Sequence, residues 1–161
     1  MKIKGLRYVK CGEIYTSDSN IDVCARCDGV LDVVYDYDVI KREVNWEEIQ
    51  SGKADKLGIW KYKDFLPIEN EKHMVTLGEG KTPLIKSRRL NKGISLDNLM
   101  LKAEFMNPTG SLKDRCSPVS IARALEVGAS GVCMVSSGNG RGIASCLRRY
   151  SRYTGVYYRA S

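Results

Sequence analysis

No apolar run in this 161-residue sequence approaches the roughly 20 residues that a membrane-spanning helix requires. Its opening, Met1-Lys2-Ile3-Lys4, leads straight into mixed polar sequence and lacks the apolar core of a signal peptide, so the chain reads as cytoplasmic. No internal repeat or low-complexity linker stands out. Acidic residues are missing altogether after Glu126, whereas Arg141, Arg148, Arg149, Arg152 and Arg159 all follow it. Five of the seven excess positive charges therefore lie in the last 21 residues. Such a patch suits a polyanion, but the sequence lacks an RNA-binding aromatic pattern and any recognised DNA-binding motif. A solvated helix face beside a site for phosphate-bearing small molecules is the preferred reading, and nucleic acid is not an expected partner.

What remains is an ordinary globular composition. An apolar fraction of 43% supports a buried core, and the length suits one compact domain with a small appendage. Residues 1–36 read as a ribbon-like β segment ending in a strand over 31–36, and residues 37–161 as an α/β domain. Within the latter, 44–52 and 58–66 read as short helices, with Pro67 closing the second. A glycine-punctuated loop follows, Leu77-Gly78-Glu79-Gly80-Lys81-Thr82-Pro83-Leu84. Then come a strand over 98–104, a helix over 113–127, a buried strand over 131–136, a helix with Ile143, Cys146, Leu147 and Tyr150 on one face, and a strand over 155–158. This alternation predicts a parallel βαβ sheet with right-handed crossovers.

The six cysteines fall into two groups. Cys116, Cys133 and Cys146 lie scattered through apolar sequence and read as reduced core residues. Cys24-Ala25-Arg26-Cys27-Asp28-Gly29 is a Cys-x-x-Cys-x-Gly knuckle, and Cys11-Gly12-Glu13 resembles the second half of another. Two such knuckles on a β-ribbon make a tetrahedral thiolate zinc site. A fourth cysteine belongs at position 8, where the sequence has Tyr8, and the only histidine, His73, is distant. Three thiolates hold zinc with water or a borrowed ligand, and a degenerate ribbon that folds without metal accounts for the pattern as well. No metal is assigned from the sequence.

Two stretches carry chemistry. In Asn107-Pro108-Thr109-Gly110-Ser111-Leu112-Lys113-Asp114-Arg115, a turn feeds a helix that Ser111 can cap. Lys113 then sits among free backbone N–H groups at the positive end of the helix dipole, which disfavours its charged form and attracts an anion. A lysine that must form an imine with an aldehyde needs such surroundings. A capped surface helix with a solvated lysine is the plainer reading. One βαβ step later, Ser136-Ser137-Gly138-Asn139-Gly140 forms a second strand-to-helix turn, and ligands settle at such turns on parallel sheets. Its hydroxyls and amides suit a carboxylate or phosphate, and the Asn139 amide suits a phenolic or carbonyl oxygen.

The Leu77–Leu84 loop, the stretch from Phe105 to Arg115 and Ser136-Ser137-Gly138-Asn139 together resemble the threonine synthase family, pyridoxal-phosphate enzymes of the tryptophan-synthase-β fold. The cysteine ribbon and Gly58-Ile59-Trp60-Lys61-Tyr62 are similar to members with a zinc-ribbon-like N-terminal extension. The resemblance implies that Lys113 is the Schiff-base lysine and proton shuttle. It implies that Asn139 bonds the cofactor's 3′-oxygen, that Ser137 and Gly138 grip the substrate carboxylate, and that Thr82 shapes the wall of the substrate site. The implied reaction converts O-phospho-L-homoserine and water to L-threonine and phosphate. Leu112 stands where the family has Phe, and Gly140-Arg141-Gly142 replaces a run of small residues.

Family members are longer, and their cofactor-phosphate loop comes later in the chain. The resemblance therefore implies the N-terminal portion of such an enzyme, with an incomplete sheet. It is expected to be inactive alone unless a complementing polypeptide or self-association supplies the rest. Another β- or γ-replacing enzyme of the same fold, such as a cysteate synthase-like one, and a non-catalytic basic ribbon that binds a partner are the alternatives.

Overall fold

The computed structural model describes residues 2–135 and 156–159, apart from residues 18, 20–22, 25 and 88. At its N-terminus the strands β1 (Ile3–Tyr8), β2 (Ile14–Tyr15) and β3 (Leu31–Tyr35) form an antiparallel sheet in the order β2-β1-β3. Leu6 faces Tyr15 across one pair and Ile3 faces Tyr35 across the other. Ile3 and Tyr8 are buried, and the Tyr8 ring meets Tyr15 edge-on with centroids 5.2 Å apart. A bulge between Ile3 and Gly5 bends β1.

Two helices follow, where the sequence predicts only one before residue 58. Asp36 ends no strand; its carboxylate accepts from the N–H groups of Asp38 and Val39 and caps α1 (Tyr37–Glu43). Asn45 caps the second helix, α2 (Trp46–Gln50), in the same way through Glu48 N–H at 3.1 Å. The segment expected to be helical over 58–66 belongs to a longer 3-10 run, Lys53–Phe65, broken at Gly58. The tilted rings of Trp46 and Phe65 meet with centroids 5.5 Å apart and hold α2 against this run. Trp60 is the centre of the core, packed with Ile68 and Ala122, and its indole N–H donates to the Val75 carbonyl at 2.9 Å.

The central region departs from the predicted sheet. The strand expected over 98–104 is β5 (Met100–Lys102), and it pairs antiparallel with β4 (Leu84–Lys86), with α3 (Leu90–Ile94) between them. It therefore forms a separate hairpin. Period-2 alternation cannot say which strand becomes the partner, and the Leu77–Leu84 loop ends in the nearest one. The helix predicted from 113 is two elements, a 3-10 turn at Leu112–Arg115 and α4 (Ser117–Glu126), with Pro118 in the first turn of α4. The buried side of α4 is made by Ser117, Pro118, Ile121 and Ala122. Cys116 lies just outside that side and is exposed, and so is not the core residue that the sequence predicts. Glu126 accepts from the N–H groups of Glu69 and Asn70, which ties α4 to the loop before Glu71.

Parallel pairing is present in β6 (Val132–Val135) and β7 (Val156–Arg159), with Val132 opposite Val156. The Ser136–Gly140 turn and the helix predicted after it, including Ser137, Gly138 and Asn139, lie outside the described residues, as do Cys146 and the side chain of Cys133. Among the described residues no helix is long and apolar enough to cross a membrane.

Candidate functional site

Lys113 sits in the short turn between the 107–111 loop and α4. Ser111 is extended there, and its hydroxyl accepts the Lys113 N–H at 3.2 Å, the cap predicted from the sequence. The Lys113 carbonyl accepts from the Cys116 N–H and the Ser117 hydroxyl, both at 3.2 Å. The backbone of Lys113 is thus fixed on both sides while its side chain is exposed. Leu112, at 58% relative exposure, opens the same surface.

Buried polar groups support this turn from beneath. Asp114 is fully buried; its carboxylate accepts from the Thr109 N–H at 2.7 Å and from the Thr109 hydroxyl. Asn107 is buried too. Its amide donates to the Glu104 carbonyl and carboxylate at 2.9 and 3.0 Å, and its carbonyl oxygen accepts from Gly80 N–H at 3.1 Å. The glycine loop is therefore bonded to the lysine loop through one side chain.

Thr82 makes the second link between these loops. Its hydroxyl donates to Glu104 Oε1 at 2.8 Å and accepts from Arg115 Nη2 at 2.9 Å. Arg115 also holds both carboxylate oxygens of Glu104, and this guanidinium is the first cause that brings the Glu104 carboxyl down to about 2. Glu104 in turn raises Arg115. Lys102 donates to the Thr82 carbonyl. A cavity of about 300 Å³ opens beside this network, lined by Gly58, Lys61, Tyr62, Lys81, Lys102, Glu104 and Arg115. Four cationic side chains against one carboxylate favour an anionic occupant.

Of the residues singled out from the sequence, Lys113 and Thr82 are thus connected through Arg115. Sequence reasoning passed over Glu104, Asn107, Asp114 and Arg115 as site residues. Three of them stand inside the quoted lysine motif, yet nothing local marks a half-buried carboxylate that answers an arginine eleven positions away.

The profile of the family described as pyridoxal-phosphate dependent enzyme matches residues 75–157, which include Thr82, Lys113 and residues 136–140. The chain is similar to the threonine synthase of Methanosarcina acetivorans, 44% identical over 151 residues, covering 94% of this chain and 35% of that protein. It is also similar to the threonine synthase of Methanocaldococcus jannaschii, 38% identical over 149 residues, covering 92% of this chain and 35% of that protein. A third likeness, to the Synechocystis threonine synthase, is 39% over 89 residues, or 55% of this chain and 23% of that protein. The chain spans about a third of the length of the first two relatives.

Proposed function

The chain belongs to the pyridoxal-phosphate dependent enzyme family, and from that premise we propose that it serves a threonine synthase-like lyase that converts O-phospho-L-homoserine and water to L-threonine and phosphate. The observation that carries this reading is Lys113, an exposed amine on a backbone pinned by Ser111, Cys116 and Ser117. These residues fit an aldehyde cofactor, because a primary amine must be accessible and held in place to capture one. When bound, pyridoxal phosphate supplies an electron-withdrawing ring that makes the substrate's C–H bonds acidic.

The chain's own side chains then have separate tasks. Lys113 would hold the cofactor through its amine and would move protons between substrate carbons. Asn139 would hold the cofactor's 3′-oxygen, and Ser137 with Gly138 would hold the substrate carboxylate. Thr82 acts through its hydroxyl bonds to Glu104 and Arg115, keeping the glycine loop against the lysine turn. The cationic cavity lined by Lys61, Lys81, Lys102 and Arg115 draws a phosphorylated amino acid toward this face.

The test is product stoichiometry, measured with the chain completed by the polypeptide or the further copies that supply the rest of the enzyme. Equal release of L-threonine and phosphate from O-phospho-L-homoserine, abolished by Lys113→Ala, supports the proposal. Phosphate released without threonine overturns it.

A further inference from the structure

The N-terminal ribbon contains the same turn twice. In Tyr8–Glu13, Gly12 N–H donates to the Tyr8 carbonyl at 2.8 Å and Tyr8 N–H donates to the Glu13 carbonyl at 2.9 Å. In Cys24–Gly29, Asp28 N–H donates to the Cys24 carbonyl at 2.9 Å and Cys24 N–H donates to the Gly29 carbonyl at 3.4 Å. Gly12 and Asp28, each one residue after a cysteine, are both left-handed, with φ of 75° and 51°. That conformation turns the next amide back onto the sulfur: Glu13 N–H bonds Cys11 and Gly29 N–H bonds Cys27. An L-residue adopts such a φ at a cost, so Asp28 there indicates a turn held for its shape.

These paired turns bring three sulfurs together. The Sγ atoms of Cys11, Cys24 and Cys27 lie within 4.8 Å of one another, and those of Cys11 and Cys24 are 3.7 Å apart. Two sulfurs bound to one tetrahedral zinc at about 2.3 Å each sit about 3.8 Å apart, so Cys11 and Cys24 already have the spacing of a ligand pair, with Cys27 within reach of the same ion. Cys24 is fully buried, whereas Cys11 and Cys27 are half-buried. Tyr8 holds the place in the first turn that Cys24 holds in the second.

We propose that Cys11, Cys24 and Cys27 bind one Zn²⁺ as three thiolates, with the fourth vertex open to water. Binding releases the three thiol protons to solvent, and the amides of Glu13 and Gly29 support the thiolate charge. Soft sulfur ligands select zinc over magnesium or calcium. The site lies in the ribbon and is independent of the cofactor lysine.

The probe is Co²⁺, added to the whole chain after chelator treatment under reducing conditions. The expected result is thiolate-to-cobalt charge-transfer absorption that saturates at one Co²⁺ per chain and is displaced by Zn²⁺. Cys27→Ser, with circular dichroism matching the wild type, is expected to weaken binding at least tenfold. Tyr8→Cys completes the second knuckle and is expected to raise the charge-transfer intensity by about a third as the fourth thiolate joins. No charge-transfer band in the wild type overturns the proposal. So does an unchanged band in Cys27→Ser, and so does a band in Tyr8→Cys with the wild-type intensity and affinity.

Discussion

Arg115 grips Glu104 through both carboxylate oxygens, Nε to Oε2 at 2.7 Å and Nη2 to Oε1 at 2.8 Å, and the same Nη2 reaches Thr82. One planar guanidinium therefore joins the lysine turn, the turn at Glu104–Met106 and the glycine loop. A point charge cannot make the same set of bonds, since the fork supplies direction as well as charge.

Arg115→Lys tests this directly. Both partners are partly exposed, so the expected loss of stability is modest, about 1–2 kcal/mol. Urea unfolding monitored by Trp fluorescence measures it. Cofactor attachment at Lys113 is expected to weaken as well, because Thr82 loses a donor. A variant with wild-type stability and attachment removes the bridge from the positioning of Lys113.

Glu104 also sets a pH dependence. Its carboxyl titrates at about 2 when folded against an ordinary 4.5, so the unfolded chain binds the proton more tightly. The bridge's stabilisation is full above the ordinary value and is lost as pH falls from there through about 2. Acid unfolding of Glu104→Gln should therefore be less steep than that of the wild type over this window. Identical acid profiles contradict the assignment.

Gly58 is the kink that lets the glycine loop approach. Its φ is +59°, and a Cβ there would lie 2.2 Å from the Glu79 carbonyl oxygen. Neighbouring Ile59 donates its N–H to that same oxygen at 3.0 Å. Gly58→Ala has to displace backbone, so a loss of about 2–4 kcal/mol is expected by thermal or urea denaturation. A loss below about 1 kcal/mol shows that the two segments part easily.

The parts of the fold that were legible in the sequence are those specified by near neighbours. Ser111 two residues before Lys113 gave the cap, and the Cys-x-x-Cys spacing gave the paired ribbon turns. The apolar run before Asp36 predicts that the strand continues to it, although an Asp at that place also caps a helix, as it does here. The β4–β5 hairpin was missed because alternation fixes which face a side chain takes, not which strand lies beside it. The Glu104–Arg115–Thr82 network joins residues up to 33 positions apart, and no local pattern encodes such a meeting.

The central claim is that Lys113 is the lysine that captures pyridoxal phosphate. Incubating the chain with pyridoxal phosphate, fixing it with borohydride and mapping the labelled peptides measures this most directly. One label per chain on the Lys113 peptide, absent in Lys113→Ala, is the expected result. Label spread over several exposed lysines, or unchanged in Lys113→Ala, contradicts it.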